Sequence, residues 1–230
     1  MLNTSRSRPA SDSYHHGNLR TTLLELAVGL ARKGGPDAVV LRDVQRLAGV
    51  SNSAAYRHYA DRDALLAAVT EYSMGRLADA MVARLNAVPG RGTKAQRALG
   101  RLRATGQGYI DFALAEPGLF RTAFSHKESV RQRHSREGAT QDGVDPPDTD
   151  ATDAAVDEHH PFQILIGCVD DLVATGVLSA DRRDGFDEAA WAAVHGLSTL
   201  FLDGPLSAAD TTRKQLITDR LLDGIAGGLR

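Results

Sequence analysis

This sequence predicts an all-α protein in two parts joined by one long helix, and three observations predict it. Apolar residues recur at spacings of three and four from Leu19 onward, the period of helices that turn one face inward. These segments are cut by strong breakers: Gly34-Gly35-Pro36, Gly49, Val88-Pro89-Gly90 and Pro117-Gly118. Finally, residues 41–66, LRDVQRLAGVSNSAAYRHYADRDALL, read as two short helices, a tight turn between them and the start of a third helix.

Bulk properties narrow the function classes. A chain of 230 residues holds one large domain or two modest ones. No apolar run approaches the roughly 18 residues of a membrane span, and the polar N-terminus MLNTSRSRPASDSYHHG lacks a secretory apolar core. A cytoplasmic protein with no membrane partner is expected. The lone Cys168 leaves no intramolecular disulfide. There is no Gly-rich phosphate loop, nucleophile elbow or HExxH, so no catalytic residue, cofactor or metal is assigned. Net charge is −2, unevenly spread: residues 1–63 carry +3 and the remainder −5. A mildly basic head on an acidic body suits a protein that meets DNA at one end.

Within 41–66, Val44, Leu47 and Ala48 form an apolar stripe. Gly49 stops that helix where a left-handed residue is needed, and Val50 plugs the corner. Ser51 is placed to cap the next helix, Asn52 to Tyr59. There the small Ala54 and Ala55 permit close approach, and Tyr56, Arg57 and His58 supply donors within one turn. That combination suits entry into a DNA major groove.

The pattern resembles the DNA-binding domain of tetracycline-repressor-like (TetR family) regulators. The resemblance runs through Ser51, the Gly49-Val50 turn, Tyr56-Arg57-His58-Tyr59 and Asp61-Arg62-Asp63-Ala64-Leu65-Leu66, and back to Tyr14-His15-His16-Gly17-Asn18-Leu19-Arg20. One residue departs from it: Gln45 stands where helix-turn-helix units usually carry Ala, so either the helix crossing opens or the amide turns outward. The resemblance implies a helix-turn-helix domain at 14–64 and a helical effector-binding and dimerisation domain at 65–230. It also places a basic phosphate contact at Arg62, at the start of the fourth helix.

Taken in order, residues 1–13 read as a disordered arm. The first helix spans about Asn18 to Lys33, with Leu19, Leu23, Leu26, Ala27, Leu30 and Ala31 inward. Arg20 and Arg42 are candidates for phosphates beside the groove. The fourth helix starts at an Asp61 cap, runs toward Leu85 and is long enough to be a rod, about 36 Å. Two helices follow, divided near Glu116-Pro117-Gly118. Tyr109, Phe112, Phe120 and Phe124 on them, with Cys168, Trp191 and His195 further on, are the candidate ligand-pocket residues. Residues 137–158 hold eight acidic residues and no Lys or Arg, the composition of a flexible acidic loop. Phe162 to Thr175 resumes as a helix that Gly176 ends. Asp187 to Leu202 reads as a helix buried on most sides, and Thr211 to Leu229 as an amphipathic one with Leu216, Ile217, Leu221, Leu222, Ile225 and Leu229 on one side. The run Trp191 to Leu197 resembles the Trp–His–Gly signature of one C-terminal domain type in the same family.

The function these readings imply is a homodimeric, ligand-responsive transcriptional repressor acting on a palindromic double-stranded operator. Ser51, Asn52, Ala54 and Ala55 would face base edges, while Tyr56, Arg57, His58 and Arg62 would hold phosphates. The last two helices would pair with their copies about a two-fold axis, and the unknown effector would be a small molecule. The alternative is an all-helical small-molecule-binding protein whose helix-turn-helix no longer binds DNA.

Overall fold

The computed structural model describes residues 19–125 and 160–228. The arm at 1–13, the Tyr14–Asn18 segment, the acidic stretch 137–158 and Leu229 lie outside the described residues. Within them the chain forms nine α-helices and no strand. These are α1 (Leu19–Gly34), α2 (Leu41–Ala48), α3 (Asn52–Tyr56), α4 (Arg62–Asn86), α5 (Lys94–Ala115), α6 (117–125), α7 (Pro161–Ala174), α8 (Phe186–Leu202) and α9 (Thr211–Gly227).

Helices α1 to α3 and the start of α4 close a small head around Leu23, Ala27, Val44, Ala55, Tyr59 and Leu65. The turn after α2 is built as the sequence demands. Gly49 adopts φ +67°, its N–H donates to the Arg46 carbonyl, and the Val50 N–H returns to Gln45. This double bond pattern satisfies two carbonyls at the helix end. The Ser51 hydroxyl then accepts the Ala54 N–H at 3.3 Å, which opens α3. Asp61 does the same for α4, accepting from Ala64 at 2.7 Å.

Two expectations are corrected here, and the choice left open at Gln45 is decided. Leu47 is 54% exposed and not part of the inward stripe. The buried row is Leu41, Val44 and Gln45, with Ala48 half-buried; this is the i, i+3, i+4, i+7 series, and Leu47 falls off it. Gln45 accordingly points inward, 4% exposed, and its side-chain nitrogen has no hydrogen-bond partner. The third helix is shorter than expected, ending at Tyr56, because Tyr59 turns into the core.

The body packs α4 to α9 around two merging apolar clusters. The long α4 crosses α5 closely at Gly108, where an added Cβ would lie 2.8 Å from the Ala80 carbonyl oxygen. Helix α6 joins body to head. At Gly118 an added Cβ would sit 2.2 Å from the Ala31 carbonyl oxygen and 2.5 Å from that of Arg32, so α6 rests on the last turn of α1. Around this seat, Arg32 pairs with Glu116 at 3.1 Å, Thr70 of α4 donates to the Thr122 carbonyl, and Arg121 grips Asp203 beyond α8 with two nitrogens.

Helix α8 is less buried than its composition suggests. Glu188, Ala189, Ala192, Thr199 and Leu200 lie exposed along one side, with Ala193 and Gly196 half-buried beside them. In α9 only Thr218 and Leu222 are buried, and Leu216 is 46% exposed. Its apolar residues therefore face two ways, because the body in one chain covers only one side of these two helices.

Candidate DNA-reading face and ligand cavity

The head presents α3 at its surface. Ser51, Asn52, Ser53, Tyr56 and Arg57 are exposed, while Ala54 and His58 are half-buried. Ala55 departs from expectation. It is fully buried under the helix crossing, so it sets how closely α3 seats on the head and cannot touch a base. Ser53, which the sequence reading passed over, takes its place on the exposed side. The Ser51 and Ser53 hydroxyls sit 3.1 Å apart.

The candidate phosphate contacts divide. Arg42 and Arg57 are exposed. Arg20 is exposed too, yet one nitrogen donates to the His58 carbonyl at 3.1 Å and its guanidinium lies 4.9 Å over the Tyr59 ring. The Tyr59 hydroxyl donates back to the Arg20 carbonyl, and burial raises that phenol's pKa. Together these contacts tie α1 to the turn after α3. Arg62 is a correction: its guanidinium turns inward and donates to the Val39 and Pro36 carbonyls, both at 2.8 Å. Those carbonyls belong to the short 3-10 turn between α1 and α2, where the Pro36 carbonyl also accepts the Val39 N–H at 3.2 Å. Arg62 pins that turn to α4 and leaves the phosphate set.

A cavity of about 270 Å³ lies inside the body. Six helices reach it, through Met74 and Met81 of α4, Tyr109 of α5, Phe124 of α6, Phe162 of α7, Trp191 of α8 and Leu222 of α9. Of the candidate pocket residues, Tyr109, Phe124 and Trp191 line it, whereas Phe112, Phe120, Cys168 and His195 do not. Phe112 and Phe120 are core, 6% and 3% exposed, with Phe120 edge-on to Tyr109 at 5.6 Å. Cys168 is buried against the Thr105 hydroxyl at 3.2 Å, and burial pushes its thiol pKa up, so it stays protonated and packs as a small hydrophobe.

His195 stands behind the wall. Its Nδ1 is 2.8 Å from the Tyr109 hydroxyl, and that oxygen also accepts the Trp191 indole N–H at 3.3 Å. The three groups thus share one hydrogen-bonded chain, in which the tautomer of His195 sets the direction of its bond to Tyr109. Burial lowers the pKa of His195 and raises that of Tyr109. Missed from the sequence were Met74, Arg103, Thr105, Gln163 and the α9 residues. Apolar spacing marks a side chain as inward but does not say whether it meets another side chain or a void. No cluster of His, Cys, Asp or Glu fit to hold a metal occurs among the described residues, and no described helix is long and apolar enough to cross a membrane.

A capped helix-turn-helix head seated on an all-helical body with an internal cavity defines a DNA-binding transcriptional regulator. Residues 23–69 match the family model of bacterial regulatory proteins, tetR family, and residues 102–225 match that of the tetracyclin repressor-like C-terminal domain. The chain belongs to the tetR family. Among solved structures it is similar to a protein of unknown function from Rhodococcus sp. RHA1, at 27% identity over 94% of this chain and 100% of that one, with a TM-score of 0.66. The TetR family transcriptional regulator PfmR from Thermus thermophilus shares the fold at 18% identity, 90% and 98% coverage and a TM-score of 0.54. A bacterial regulatory protein in the tetR family from Rhodococcus RHA1 does so at 13% identity, 90% and 95% coverage and 0.52. No curated protein matches the chain.

Proposed function

We propose that this regulator is a homodimeric repressor that leaves a palindromic operator when a small molecule fills the body cavity. The observation that carries the proposal is the cavity's position: α4, which leads directly from the head, and α6, which rests on it, both contribute to the wall. A ligand that pushes on Met74, Met81 or Phe124 acts on helices that hold the head's posture. Occupancy would then favour dimers whose two heads no longer match successive major grooves.

On this reading the DNA-binding domain spans 14–64 and the effector and dimerisation domain 65–230. Ser51, Asn52, Ser53 and Ala54 face base edges. Tyr56, Arg57, His58 and Arg42 take phosphates, with Arg20 at the edge of the same face. The C-terminal domain is of the Trp–His–Gly type, in which Trp191 and His195 share the Tyr109 hydroxyl and Gly196 keeps the outer side of α8 low. That side, with Leu200 on α8 and Leu216 on α9, is the surface offered to the second copy.

Selecting duplexes from a random pool with the pure protein tests the proposal. The expected product is a palindrome with half-sites about one helical turn, or a multiple, apart, bound by two chains. Leu200→Glu with Leu216→Glu should yield monomers in sedimentation and lose operator affinity at least tenfold. Recovery of no sequence at low salt would instead favour the second reading, a helical binding protein whose head has lost DNA. The unpartnered Gln45 amide in the helix crossing is the observation on that side.

A further inference from the structure

We propose that the cavity selects an uncharged, mainly hydrocarbon molecule carrying at most one hydrogen-bonding group, and that it discriminates against organic anions and cations alike. This rests on the reading of the cavity as the effector site and specifies what that site accepts. Most polar groups of the described wall are already engaged by partners behind it. Arg103 is the wall's one strong positive charge, and it is matched by two carboxylates of α9: Asp219 at 2.6 Å and Asp223 on its other terminal nitrogen. These two contacts take two of its five N–H donors, and an incoming carboxylate would meet two acidic groups already set against the same guanidinium.

The Tyr109 hydroxyl accepts the Trp191 indole N–H and shares a second hydrogen bond with His195 Nδ1, so both of these polar wall groups already have partners. Thr105 donates to the Arg101 carbonyl and faces Cys168. The His160 ring accepts the Phe162 N–H and caps α7. What remains for a ligand is Gln163, whose side-chain amide makes no hydrogen bond to the described residues. No described carboxylate lines the cavity to receive a cation.

A charged guest would therefore shed its water with no unmatched counter-charge among the described wall residues to replace it. A neutral guest gains the apolar wall of Met, Leu and aromatic side chains. The cavity volume of about 270 Å³ limits the guest to a small molecule.

Trp191, the chain's single tryptophan, stands in the wall and reports occupancy by its emission. Titrating the full chain at pH 7.5 with 1-octanol, octanoate and octylamine holds the hydrocarbon fixed and changes only the head group. Octanol should shift the emission with an affinity at least tenfold above those of both ions. In Asp219→Asn with Asp223→Asn the guanidinium is released, and octanoate should gain at least tenfold while octanol changes less than threefold. Octanoate or octylammonium binding the natural chain as tightly as octanol overturns the inference and leaves the effector site standing. If none of the three alters Trp191 emission or the melting temperature, the effector site itself is wrong. The ratio in the natural chain decides the matter even where the double variant does not fold.

Discussion

Replacing Gly118 by Ala adds one methyl at the point where the body meets the head. Its Cβ would stand 2.2 Å from the Ala31 carbonyl oxygen, whereas carbon and oxygen in close contact rest at about 3.3 Å. The start of α6 must withdraw by roughly 1 Å. The obstacle is backbone that cannot swing aside: the Ala31 carbonyl also accepts the Gly35 N–H at 2.8 Å, closing α1. Overpacking of this kind costs about 1–3 kcal/mol, and the rigid neighbour places Gly118→Ala in the upper half of that range. For a chain of this length each kcal/mol moves the melting temperature by about 2–4 °C, so a drop of about 4–12 °C is expected. Gly75→Ala in α4 is the matched control, because nothing lies within 4 Å of its added Cβ. There the helix gains about 0.8–1 kcal/mol from propensity alone, and melting should rise by about 2–4 °C. Circular dichroism melts of the two variants read opposite signs from one chemical change. A Gly118→Ala protein that melts with the parent would refute the close seat of α6 on α1.

Other perturbations test separate claims. Gln45→Met keeps the volume of the side chain and removes a buried nitrogen without a partner, so the head should gain about 1–2 kcal/mol in denaturant unfolding with unchanged slope. Arg62→Met removes the charged donor from the Val39 carbonyl and one of the two donors from the Pro36 carbonyl. It should cost about 1.5–3 kcal/mol of stability while the salt slope of operator binding stays as in the parent; a slope smaller by about 0.9 would return Arg62 to the phosphates. His195 titrates below its unfolded value, so the folded chain prefers the neutral ring. Its contribution to stability is whole above the unfolded His pKa of about 6.5 and is lost as pH falls through the lower folded pKa. Melting temperature should therefore fall on acidification below that value, and His195→Asn, which keeps an acceptor for Tyr109, should show a shallower fall.

Much of this was legible because local chemistry decided it. Gly49 could only end a helix in the left-handed region, Ser51 and Asp61 could only be caps, and Pro117-Gly118 could only divide α5 from α6; each does so. The rest was settled by tertiary partners. Gln45 could open the crossing or turn its amide outward, and its place in the i, i+3, i+4, i+7 row carried it inward. Arg62 stands at a helix start where a phosphate contact was expected, and the Val39 and Pro36 carbonyls of a neighbouring turn claim it. Ala55 is small enough to approach DNA and also small enough to let helices cross, and the crossing won. In the body, Phe112 and Phe120 share the apolar spacing of Tyr109 and Phe124, and only packing shows which of them meets a void.

The seat of α6 has one more consequence. That helix touches the head through Gly118, the cavity through Phe124 and the end of α8 through Arg121, within eight positions of chain. On the proposed function, what is read lies on α3 and what is sensed lies on the cavity wall, and these two sets of side chains share no member. Over generations a descendant of such a protein could then exchange its signal or its target independently, while the short segment that couples them would have to stay as it is.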